Sequence, residues 1–153
     1  MASPKTQIRS KFPRLVPTQF KVTSEQDQCY NCVAYAAGEN ERFWWPVDQP
    51  PYFWPLGLPF EVTLENFVVA FATLGYAPCE SFSAEAGIEK VAIYVDDLGI
   101  PTHMARQLDD GSWTSKLGCS WDIAHKTLAG LSGVELSVST IFDGAVITVF
   151  DGT

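Results

Sequence analysis

The chain of 153 residues is poor in the side chains from which acid–base and metal sites are built: it has two histidines, four cysteines and ten basic residues against eighteen acidic ones. It has no uninterrupted apolar run near the roughly 18 residues of a membrane-spanning helix. Nor does its start carry the apolar centre of a secretory signal, so the expectation is a cytoplasmic chain with no membrane partner. In a reducing compartment four cysteines are not a disulfide framework. Cys29 and Cys32 form a C-x-x-C, but Cys79 and Cys119 stand single and far apart, so the second half of a zinc site is missing. No metal and no cofactor is expected. Half of the basic residues (Lys5, Arg9, Lys11, Arg14 and Lys21) precede the first acid, Glu25, which leaves five basic against eighteen acidic groups beyond it. A body that acidic argues against nucleic acid, whose phosphates need a positive face. The basic leader lacks the clustered charges of a tail and carries Phe12, Leu15 and Val16, which favours docking on its own domain. No internal repeat is present.

What the chain does have is apolar mass, 46% of residues with aromatics at 13%, enough for one domain with a real core. Residues 1–28, punctuated by Pro4, Pro13 and Pro17, read as an irregular arm, and 29–153 as the domain. A short helix fits 31–37, capped by Asn31 and stopped by Gly38. Residues 39–62 are rich in aromatics and proline, too long for an ordinary connection and too apolar for disorder, and read as a packed flap. Thr63 then caps a helix with Leu64, Phe67, Val68, Phe71 and Leu74 on one stripe, ended by Gly75. A polar loop with Glu80, Glu85 and Glu89 leads to strands at 91–95, 102–108 and 113–117, an antiparallel meander. Gly118-Cys119-Ser120 is expected to open a helix carrying Ile123 and Leu128, with His125 on its flank. Strands at 134–142 and 145–150, joined by Asp143-Gly144, end the chain. Helices set against an antiparallel sheet make an α+β domain.

Two runs carry the chemistry. Tyr30-Asn31-Cys32-Val33-Ala34-Tyr35-Ala36 places a cysteine at a helix start, where the thiolate is favoured. Pro101-Thr102-His103-Met104-Ala105-Arg106-Gln107 places a histidine at the start of a strand. A thiol becomes a useful nucleophile when a base is held beside it. Together with Trp44-Trp45-Pro46, Phe53-Trp54-Pro55, Glu89-Lys90-Val91-Ala92-Ile93-Tyr94, Gly111-Ser112-Trp113-Thr114-Ser115-Lys116-Leu117-Gly118 and Asp122-Ile123-Ala124-His125, these runs resemble a family of small, mostly uncharacterised bacterial and phage proteins over roughly residues 12–133. That family is distantly similar to papain-like proteins, in which a helix-borne cysteine faces a histidine on a sheet. The last twenty residues depart from its usual basic ending.

The resemblance implies a papain-like fold with Cys32 as nucleophile and His103 as general base. For the third member, which orients the imidazole, the candidates are Asp122, slightly ahead, and Ser115, whose hydroxyl lacks the charge to stabilise an imidazolium. Gln26, six residues before Cys32, is an oxyanion-donor candidate, and the backbone N–H of Cys32 itself a better one. Trp44, Trp45, Trp54, Arg106 and Trp113 are the candidates for a substrate-side wall, although aromatic loops more often cover a core.

Three functions are therefore carried forward. The first is a cysteine hydrolase or acyltransferase acting on an amide or peptide bond of a peptide or protein substrate. The second is a non-catalytic papain-like module, a phage accessory or toxin-system partner that grips a protein through the aromatic loop. The third is a zinc or redox protein built on the C-x-x-C. None of the three specifies an oligomeric state.

Overall fold

A computed structural model describes residues 3–25, 30–79, 83–96, 98–117 and 121–131, and the backbone of 135–136, 139–140 and 146–152. Among the described residues the α-helices are α1 (Pro4–Lys11), α2 (Cys32–Ala36) and α3 (Leu64–Ala72). The strands among these residues are β1 (Phe20–Val22), β2 (Tyr76–Cys79), β3 (Lys90–Val95), β4 (Pro101–Gln107), β5 (Trp113–Lys116), β6 (Asp122–His125), β7 (Glu135–Leu136), β8 (Ser139–Thr140) and β9 (Val146–Gly152). Seven of them form one sheet in the order β1-β6-β5-β4-β3-β9-β2, with every neighbouring pair antiparallel. The domain is mixed helix and sheet, and the expected meander at its centre is β3-β4-β5.

Strand alternation sorts the core into two layers. Val91, Ile93 and Met104 point to one face, where α2, α3 and the flap pack with Trp44, Trp54, Phe67 and Phe71. Ala92, Tyr94, Ala105, Trp113 and Ile123 point to the other, which is covered by Ile8, Phe12, Leu15, Leu128 and Leu131. The sheet is thus buried on both faces.

The leader is not irregular. Pro4 stands in the first turn of α1, where its missing N–H costs nothing, and the Ser3 side chain accepts from Thr6 N at 3.2 Å. Ile8, Phe12 and Leu15 are each 2% exposed, so the segment is a strap across the second layer. Its basic residues are used locally: Lys5 donates to the Pro17 carbonyl and Arg9 to that of Leu15. Three other expectations need correction. Residues 122–125 form β6 and not a helix, because Asp122 and His125 find partners on neighbouring strands. Leu74 lies in the turn after α3, which ends at Ala72, and is 41% exposed. Tyr76–Cys79, expected within a loop, pairs with β9 at the edge of the sheet, a position that tolerates Pro78.

Candidate functional site

Asn31 caps α2 as its sequence suggests, accepting from Ala34 N at 3.0 Å. The same side chain accepts from Trp44 N at 3.1 Å and donates to Trp44 O at 2.8 Å, so one residue ties helix to flap. Cys32 follows, and α2 lies over β4 and β5. The thiol is buried, with the residue 9% exposed, in the core layer that also holds Val33, Ile93 and Met104. Its pKa is set by two opposed effects. Burial pushes it up to about 11, while the backbone N–H groups of Met104, Val33 and Cys32 pull it down without compensating. The helix start therefore acts on the sulfur in the expected direction, and desolvation outweighs it.

His103 does not face that sulfur. Its strand partner is Tyr94, and the two rings meet edge to face at 5.2 Å in the second layer, whereas Met104, the next residue, points to Cys32's layer. The sheet stands between thiol and imidazole, and the expected nucleophile–base pair is not assembled. His103 is 4% exposed, and among the described residues its Nε2 has no hydrogen-bond partner. Burial, reinforced by the nearby His125, lowers its pKa to about 3, so it is neutral at any physiological pH.

The two candidates for a third member separate in the same way. Ser115 does hold an imidazole, but that of His125: Ser115 Oγ lies 2.8 Å from His125 Nε2, and His125 Nδ1 lies 2.9 Å from the Thr127 carbonyl. The carbonyl can only accept, so Nδ1 carries the proton and Nε2 accepts from the serine hydroxyl. Both residues are buried, and burial lowers the His125 pKa to about 4. Asp122 lies in Cys32's layer. Its Oδ2 accepts from Tyr30 Oη at 2.7 Å, and its Oδ1 stands 3.9 Å from the Nζ of Lys116, a lysine with no exposed surface. Lys116 Nζ also lies 4.7 Å from the centre of the Tyr30 ring. This buried Lys116–Asp122–Tyr30 cluster crosses from β5 and β6 to the entry of α2. It was not foreseen, because its members are polar and distant in sequence.

Of the aromatic candidates, Trp44 and Trp54 are 4% and 7% exposed and belong to the core. Trp45 packs edge-on against Phe67, so the flap roots act as a cover over the first layer. Trp113 is buried in the opposite layer. Arg106 reaches a surface recess, a cleft of about 840 Å³ between residues 84–89 and the β4–β5 turn. Gln26, Cys29 and Cys119 lie outside the described residues. Among those described, no group of three or more His, Cys, Asp or Glu is placed to hold a metal ion, and no helix is long and apolar enough to cross a membrane.

No curated protein and no solved structure is detectably similar to the chain. A family model does match residues 21–149, from the first sheet-edge strand to the last strand of the sheet. The chain accordingly belongs to the family described as Domain of unknown function (DUF7689).

Proposed function

We propose that the domain is a non-catalytic protein-binding module on a papain-like layout, a cysteine-bearing helix laid on an antiparallel sheet, and not a cysteine hydrolase. The observation that supports this reading is the placement of Cys32 and His103 on opposite faces, each closed off from water and each held in its neutral form. Nucleophilic attack needs a thiolate within reach of both base and substrate. The flap offers a contact surface instead. Its roots are fixed in the core, and the same segment exposes Tyr52 at 43%, Phe60 at 53% and Leu56 fully. Apolar side chains on a rigid base lose little entropy on association.

Per-residue iodoacetamide labelling of the native protein tests the catalytic half. Cys32 is expected to react more slowly than the half-buried Cys79 and to catch up only in denaturant. The hydrolase reading returns if Cys32 is the fastest thiol and His103→Ala removes that advantage. Affinity capture tests the binding half: a partner should be held equally by wild type and Cys32→Ser, and released by Leu56→Asp with Phe60→Asp.

A further inference from the structure

The Arg106 cleft is chemically unlike the flap. Arg106 leaves β4 on the α2 side of the sheet and is half-buried, its guanidinium carbon 5.4 Å from the centre of the Tyr35 ring. Beyond it the chain turns at Gly38, whose φ of +85° suits glycine. A Cβ there would stand 3.8 Å from Arg106 Nη1. The guanidinium is thus stacked and positioned, yet among the described residues it makes no hydrogen bond and no ion pair. Its five N–H donors form a planar fork suited to carboxylate or phosphate.

The surroundings choose between those anions. Glu85, Glu89 and Asp109 line the same cleft, with Ile88 between them. Glu85 is engaged by Lys90 Nζ at 3.0 Å, and Glu89 accepts from Tyr76 Oη at 3.3 Å. Asp109 is exposed at the turn. Three carboxylates lining the cleft that Arg106 enters repel a phosphate or any polyanion, and they favour a ligand that brings a positive charge with its negative one.

We propose that this cleft binds a peptide segment bearing one carboxylate, which pairs with Arg106, and one basic side chain, which faces Glu89 and Asp109. The site stands independently of the flap, and its failure would leave the flap reading untouched. The carboxylate can come from a C-terminus or from an acidic side chain, and the test separates the two. Probes are N-acetyl-Lys-Ala-Ala as the free acid, the same peptide as its C-terminal amide, and N-acetyl-Lys-Ala-Glu amide. They are titrated into the full chain while the amide signals of Ala86, Gly87 and Gln107 and the Arg106 side-chain Nε–H signal are followed by NMR.

At least one carboxylate peptide should saturate these signals in the millimolar range, and the carboxylate-free amide should bind about tenfold more weakly or worse. Tighter binding of the free acid identifies a C-terminal ligand, and tighter binding of the Glu peptide an internal one. Arg106→Gln should lose about tenfold, and Arg106→Lys, which keeps charge but not the fork, should fall between. N-acetyl-Ala-Ala-Ala and inorganic phosphate should both bind more weakly than the better of the two carboxylate-bearing lysine peptides. The proposal is overturned if neither carboxylate peptide saturates, if Arg106→Gln binds like wild type with the rest of its spectrum unchanged, or if the lysine makes no difference.

Discussion

Lowering the pH from 7.5 to 5 protonates both histidines of the unfolded chain and neither histidine of the folded one. Unperturbed, each would titrate at 6.5; in the fold His103 is held near 3, by burial and then by the neighbouring His125, and His125 near 4 by burial. Because both folded values are depressed, their contribution to stability is intact above about pH 6.5 and is lost as the pH falls towards the folded values. Each histidine forfeits about 1.4 kcal/mol per pH unit below 6.5, so by pH 5 the pair costs about 4 kcal/mol. That is a large part of the roughly 5–15 kcal/mol by which domains are stable. Glu39 and Asp110 are both held below their usual values, chiefly by hydrogen bonds from Arg42 and Ser112, so what they contribute is lost mainly under more acid conditions. Urea unfolding followed by tryptophan fluorescence at pH 7.5, 6 and 5 reads the loss directly. His103→Leu, which keeps an apolar side chain against Tyr94, should halve the drop to about 2 kcal/mol. A wild-type loss below about 1 kcal/mol, or equal losses in the two proteins, would refute the burial argument.

Asn31→Ala removes the α2 cap and both ties to Trp44, and should cost about 2–4 kcal/mol in the same urea assay, with faster proteolysis in the flap. Tyr30→Phe deletes the hydrogen bond to Asp122 Oδ2 and should cost about 1.5–3 kcal/mol, read as a lower unfolding midpoint at pH 7.5. Phe67→Ala opens a hole among Trp45 and Trp54 and should cost about 3–5 kcal/mol, with a red-shifted tryptophan emission. Gly38→Ala forces an L side chain to a φ of +85° and should cost about 1 kcal/mol in thermal unfolding, whether or not the cleft binds anything.

The elements legible in the sequence are those with a local cause. Asn31 and Thr63 announce α2 and α3 through hydrogen bonds to amides three residues on. The meander is announced by its turns. The face on which His103 lies had no such signal: His103, Met104 and Ala105 are all buried, because β4 is a central strand covered on both sides, and alternation of polar and apolar residues disappears there. The same reason hid β6, where Asp122 and His125 are buried at opposite faces against Tyr30 and Ser115, partners remote in sequence. The candidate site suffered most from this. Its residue types were readable, but the pairing of Cys32 with His103 depended on a parity that only the register of β3 and β4 determines.

The position of β9 has a consequence for how the protein is made. It follows the other strands of the sheet in the sequence, yet it lies between β3 and β2, so among the described residues β2 has no other neighbour in the sheet. Until residues 146–152 are synthesised, β3 offers an unpaired edge and the α3–β2 unit has no strand to join. The nascent chain can close its β3–β6 portion early, but that edge stays open until β9 has been made. A chain cut before Val146 would therefore leave a sticky, unfinished sheet, a substrate for chaperones, and not a slightly shortened domain.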